Sequence, residues 1–118
     1  RIIRSDSEDG GRTWCLAYDT GLPNNNSGID LVKLKNGDLV LVYNPRENLP
    51  GYYKGPRTPL SVALSRDNGE TFEILCTLED QRGDYCYPSV ICNDNNKIMI
   101  TYTWKREKIV YVSFTLED

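Results

Sequence analysis

Histidine is absent from all 118 residues. Its absence excludes Ser-His-Asp and Cys-His activation of a nucleophile, both of which need an imidazole near neutral pH. Carboxylates, Tyr, Lys and Arg are left for any chemistry. A mixed Cys/His zinc site goes too, and Cys15, Cys76, Cys86 and Cys92 show no C-x-x-C spacing. Each cysteine lies in or beside an apolar segment and reads as a small buried hydrophobe rather than part of a disulfide framework. No apolar run approaches the roughly 20 residues of a membrane span, and Arg1-Ile2-Ile3-Arg4-Ser5 lacks the apolar region of a signal peptide. A basic stripe is also missing: 17 acidic residues are interspersed with 14 Lys and Arg, so nucleic acid is not an expected partner. No metal or organic cofactor is called for, because Asp6 to Asp9 lacks the remaining ligand spacing of a calcium loop. Nothing assigns a compartment. Asn25-Asn26-Ser27 fits the N-glycosylation pattern, at close to chance in so Asn-rich a stretch.

Internal repetition is what the sequence does have. Ser7-Glu8-Asp9-Gly10-Gly11-Arg12-Thr13-Trp14 and Ser65-Arg66-Asp67-Asn68-Gly69-Glu70-Thr71-Phe72 share the pattern S-x-D-x-G-x-T-aromatic at an interval of 58 residues. A second pair, Leu31 to Tyr43 and Val90 to Tyr102, repeats at an interval of 59. No segment sustains a 3.6-residue period, whereas short aliphatic and β-branched runs follow Asn-Gly or Asn-Asn turns. The fold class is all-β, with strands predicted near 1–5, 14–19, 29–34, 39–44, 60–65, 72–78, 88–92, 98–104 and 108–114. Short strands at this period suggest propeller blades of four antiparallel strands. Residues 1–28 read as the end of one blade, 29–80 as a complete blade and 81–118 as most of a further blade. A propeller closes with about four to eight blades. The chain is therefore expected to be a fragment of a longer protein or a protomer that completes a ring by association, three copies making six blades. Unpaired blade edges offer one route to such association.

The turn motif has a mechanical reading. Ser and Asp side chains bond the turn backbone, Gly supplies a positive φ, and the aromatic packs under the hairpin. Ser7, Asp9, Gly11, Thr13 and Trp14, with Ser65, Asp67, Gly69, Thr71 and Phe72, resemble the Asp box of sialidases and related BNR-repeat proteins. The resemblance covers essentially the whole chain and implies about two blades of a six-bladed propeller. In that family the boxes are structural and lie away from the active site.

The resemblance also implies chemistry: arginines grip the substrate carboxylate through paired charge-assisted hydrogen bonds, and a Tyr serves as nucleophile. Cys86-Tyr87-Pro88-Ser89-Val90-Ile91 is similar to the segment carrying that Tyr. Tyr87 is the candidate nucleophile, and Tyr85 is its neighbour and an alternative contact for the sugar. Arg57-Thr58-Pro59-Leu60 resembles the stretch in which a clamp arginine precedes the strand entering an Asp box. Asn24 to Asp30 looks like a subgroup signature. Where the family places a Glu and a further Arg, this chain offers Asp30 and Arg46, each shifted by a residue or two. Asp30 is the candidate base partner of Tyr87, and Arg46 the candidate second clamp. The long loop 46–56 carries Tyr52 and Tyr53, which could stack on a sugar face. Lys105 to Lys108 reads as a solvated turn. The implied activity is that of the C-terminal part of a sialidase-like, retaining glycoside hydrolase acting on a terminal sialic acid or related acidic sugar, with its active site incomplete in this chain. A non-catalytic propeller binding glycans or proteins, or a two-blade protomer, is the alternative.

Overall fold

The computed structural model describes residues 1–52 and 55–117. Nine strands and no helix occur among them: β1 (Ile3–Arg4), β2 (Tyr18–Asp19), β3 (Asp30–Lys33), β4 (Leu39–Tyr43), β5 (Leu60–Ser65), β6 (Glu73–Glu79), β7 (Tyr85–Cys92), β8 (Lys97–Trp104) and β9 (Lys108–Thr115). They form three antiparallel sheets, β1-β2, β3-β4-β5-β6 and β7-β8-β9. The arrangement is consistent with a propeller-like fold.

The middle sheet is covered on both faces, which is why β4 and β5 are apolar nearly without alternation and almost completely buried. Successive side chains of β4 point to opposite faces. Val40 and Val42 join Leu60, Val62 and Leu64 in a cluster with Tyr85, Val90, Ile98, Ile100 and Tyr102 of the third sheet. Leu41 and Tyr43 join Ala63 on the other face, where Ile2, Leu22 and Phe72 pack on them. The third sheet's outward residues Ile91, Ile109 and Tyr111 are exposed.

The predicted strands differ from the observed ones in two places. The first two shrink to two residues each. Residues 5–15 are held instead by the box and its closing bonds, Cys15 N donating to the Asp6 carbonyl (2.9 Å) and Ser5 Oγ to the Cys15 carbonyl (2.7 Å). β7 begins at Tyr85 rather than residue 88, because the ladder slips between Cys86 and Ser89. Pro88 has no N–H to give the ladder, so the strand resumes beyond it through a bulge. Tyr87 sits in that bulge at φ 53°.

Cys86 is buried and Cys76 and Cys92 are half-buried, but Cys15 is exposed, its sulfur bonded to the Asp6 N–H at 3.3 Å. The expectation of a buried thiol fails there because residues 8–19 are exposed throughout. All four thiols are free.

Candidate functional site

The two ends of the middle sheet are built differently. Leu39 of β4 pairs with Ser65 of β5 at one end, and Tyr43 with Ser61 at the other. Those pairs stand four residue steps apart, roughly 14 Å. The Ser65 end carries the second Asp box. Ser65 Oγ donates to Asp67 Oδ1 (2.8 Å) and accepts from Gly69 N (2.8 Å), while Thr71 bonds Asp67 through both its N–H (2.9 Å) and its hydroxyl (2.6 Å). Ser7, Asp9, Gly11 and Thr13 repeat these bonds in the first box. The threonine hydroxyl, then the backbone N–H and the serine, hold each Asp pKa down at about 2. Gly11 (φ 90°) and Gly69 (φ 86°) occupy the left-handed backbone region that the motif requires. The Ser, Asp and Thr side chains of each motif bond within their own turn, as a fold device would.

The opposite end holds the chemistry-bearing side chains. Tyr87, pushed outward by the bulge, is 65% exposed. The Arg57 guanidinium carbon lies 5.2 Å from the centre of its ring, within cation–π range. Gly28 also lies beside the ring, and a β-carbon there would stand 3.5 Å from Tyr87 Cδ1. Arg57 Nη1 also donates to Cys86 Sγ (3.2 Å) and faces Asp84 Oδ1 at 3.9 Å. Burial opposes its charge, but the contacts with Cys86, Asp84 and Tyr87 outweigh burial and leave its pKa raised. Burial also pushes the Cys86 thiol up, Asp84 adding to this against the pull of Arg57. Cys86 is thus a neutral, buried acceptor for the arginine.

Of the residues singled out from the sequence, the structure brings Arg57 and Tyr87 together. Asp30 stands close by at the start of β3, but its Oδ2 accepts the Val90 N–H (2.8 Å), and no hydrogen bond joins it to Tyr87. Tyr85 is corrected: it is 1% exposed, packed against Trp104 with ring centres 6.4 Å apart, so it is a core side chain and not a sugar contact. Its position opposite Trp104 in the ladder turns it inward. Arg46 is exposed, its backbone N–H bonded to the Asn44 carbonyl (2.8 Å), and has no ion pair among the described residues. Tyr52 is exposed; Tyr53 lies outside the described residues. Asn25 is fully buried and donates its side-chain N–H to the Pro56 carbonyl, so the glycosylation pattern there carries no sugar in the folded chain.

What sequence reading missed is the polar scaffold beneath these side chains. Asn44, fully buried at the end of β4, donates from Nδ2 to the carbonyls of Pro59 (2.8 Å) and Tyr85 (3.1 Å) and accepts from Ser27 Oγ (2.9 Å). Ser27 bonds Asn25 in turn. One amide therefore ties the Asn24–Asp30 segment, the cis Thr58-Pro59 turn after Arg57 and the start of β7. The available signal was Asn44 itself, a polar residue ending an otherwise wholly apolar strand. An apolar cleft of about 480 Å³ lies between the first and middle sheets, lined by Ile2, Ile29, Leu31, Leu41 and Phe72 among others, and includes none of the site residues.

Fold and boxes together define an all-β chain built on Asp-box repeats. A family model described as BNR repeat-like domain matches residues 1–100, and the chain belongs to that family. No curated protein and no solved structure shows a significant match to it.

Proposed function

We propose that this chain is part of a sialidase-like glycoside hydrolase propeller, exo-acting on a terminal sialic acid or related acidic sugar with retention. Residues 1–28, 29–80 and 81–118 belong to successive blades, the middle one complete. In this reading Tyr87 attacks the anomeric carbon as the glycosidic C–O bond breaks and the aglycone leaves as an alcohol, its oxygen protonated from solvent or a general acid. Water then hydrolyses the glycosyl-tyrosine, and Arg57 meets the sugar carboxylate throughout. Asp30 takes the phenol proton on Oδ1, the oxygen not held by Val90. The observation that carries the reading is the Arg57 guanidinium on the exposed Tyr87 ring, at the end of the sheet opposite the Asp boxes. A neutral phenol suits attack on an anionic sugar, because a carboxylate nucleophile would meet charge repulsion.

The missing hydrogen bond between Asp30 and Tyr87 favours a second reading, a non-catalytic propeller that binds a glycan or a protein at the same place. Light scattering and a fluorogenic sialoside assay on the same fractions separate the two. The enzyme reading expects turnover in the species massive enough to close a ring, lost by roughly 1,000-fold or more in Tyr87→Phe. Carboxylate-dependent binding with no turnover establishes the binder, and turnover that survives Tyr87→Phe contradicts the assigned nucleophile.

A further inference from the structure

Arg57 pairs with a carboxylate from a separate loop. Asp84, in the β6-β7 connection, faces Arg57 Nη1 with Oδ1 at 3.9 Å and accepts Arg106 Nε on Oδ2 at 3.2 Å. The Arg57 contact is an ion pair too long for a hydrogen bond, and Asp84 Oδ1 is buried without a hydrogen-bond partner. Two arginines from separate loops are thus gathered on the two oxygens of one carboxylate. Their exposures differ: the Arg57 side chain is 15% exposed and its Nη1 is engaged, whereas that of Arg106 is 68% exposed and keeps most of its donors toward solvent.

The turn carrying Arg106 is itself unusual. Lys105 (φ 49°) and Arg106 (φ 57°) both occupy the left-handed region in the tight β8-β9 turn, where Asn-Gly is the residue pair that fits without cost. Long cationic side chains are kept at a strained position, a pattern found at functional turns. Lys105 and Lys108 both place their ammonium groups over the Trp104 ring, at 4.5 and 4.4 Å, while the Lys105 N–H bonds the Asp84 carbonyl at 2.7 Å. Arg57, residues 80–84 and residues 104–108 together carry five cations against three carboxylates, in a chain whose formal charge is −3. This end of the third sheet is therefore locally positive.

We infer that Arg106 is the second anion-binding arginine of the site, set by Asp84 beside Arg57, and that Asp84 is a positioning residue for both. The inference rests on the acidic-sugar reading for its ligand class and replaces Arg46 in that role. It has a signature that a charged patch alone would not give. Asp84→Asn adds one unit of positive charge, so simple attraction would tighten the binding of an acid, while loss of positioning weakens it.

The test is calorimetric or NMR titration of the chain with free sialic acid, glucuronate and the methyl ester of each, in wild type and in Arg106→Gln, Arg46→Gln and Asp84→Asn. Arg106→Gln should weaken binding of the acid about tenfold, leave ester binding unchanged, and leave the melting temperature within a degree or two because Arg106 is exposed. Asp84→Asn should weaken the acid severalfold, and Arg46→Gln should have no effect. Unchanged acid affinity in Arg106→Gln, or tighter binding in Asp84→Asn, overturns the inference while leaving the Tyr87 reading intact. Arg106-dependent binding of glucuronate but not of sialic acid upholds the inference and overturns the sialic acid assignment. No charge-dependent binding of either acid overturns both.

Discussion

The two ends of the middle sheet differ in what repeats. At the Asp-box end the two copies of the motif share their Ser–Asp, Ser–Gly and Asp–Thr bonds within a few tenths of an ångström. They differ at the residue before Thr, where Arg12 N donates to the Asp9 carboxylate at 3.0 Å and Glu70 N to the Asp67 carbonyl at 3.4 Å. At the opposite end nothing repeats: Asn44, a cis-Pro turn and Arg57 stand in the middle sheet where the third sheet has Trp104, Lys105 and Arg106. The repeated end is locally self-sufficient and specifies the fold. The unrepeated end depends on contacts between distant segments, and the exposed, charged and strained residues collect there. The boxes differ also in their aromatics. Phe72 packs on Leu41 and Ala63, whereas Trp14 is 62% exposed, anchored by its indole N–H to the Gly11 carbonyl at 3.1 Å. Box geometry is therefore independent of where its aromatic goes, and burial of that aromatic depends on the neighbouring sheet.

The largest expected effect breaks the unrepeated end. Asn44→Ala leaves the Pro59 and Tyr85 carbonyls and the Ser27 hydroxyl without their buried partner, which should cost about 2–4 kcal/mol in chemical denaturation. Asn44→Asp should not restore the stability, since a carboxylate cannot donate to either carbonyl. Next comes the contrast between the aromatics: Phe72→Ala should cost about 3 kcal/mol, and Trp14→Ala under about 1 kcal/mol in the same chain, because most of its ring is already in water. Equal costs would mean that the boxes are energetically alike after all.

Smaller still is the acid response of the boxes. Asp9 and Asp67 have folded pKa values lowered to about 2, below the unfolded value near 4. Each therefore favours the folded state fully above about pH 4, and that contribution is lost as pH falls through about 2. Hydrogen exchange at Gly11, Thr13, Gly69 and Thr71 should accelerate in that window for both boxes together. Asp67→Asn should flatten the response at the second box and leave the first unchanged.

Much of the fold was legible because it is local. The strands β3, β4, β5, β8 and β9 fall within a residue or two of their predicted spans, and both boxes form as their side chains dictate. The Tyr85–Pro88 bulge was legible only in part: Pro88 announces that the ladder must break, but which of two tyrosines then turns outward depends on the register with β8. The candidate site was less legible, for the same physical reason. Arg57 and Tyr87 could be picked out by motif, but Asp84 and Arg106 meet only after two loops are brought to one end of the sheets, and Asn44 owes its role to three partners 15 to 41 residues away. Nothing in a window of sequence records such a meeting.

On the proposed function, ligand recognition sits at the unrepeated end while the Asp boxes only build the fold. The most direct measurement is residue-resolved NMR mapping of free sialic acid on the chain. Shift changes are expected at Gly28, Arg57, Asp84, Tyr87 and Arg106, with both boxes silent. Changes concentrated at Trp14 and the residues from Ser7 to Thr13 would contradict it.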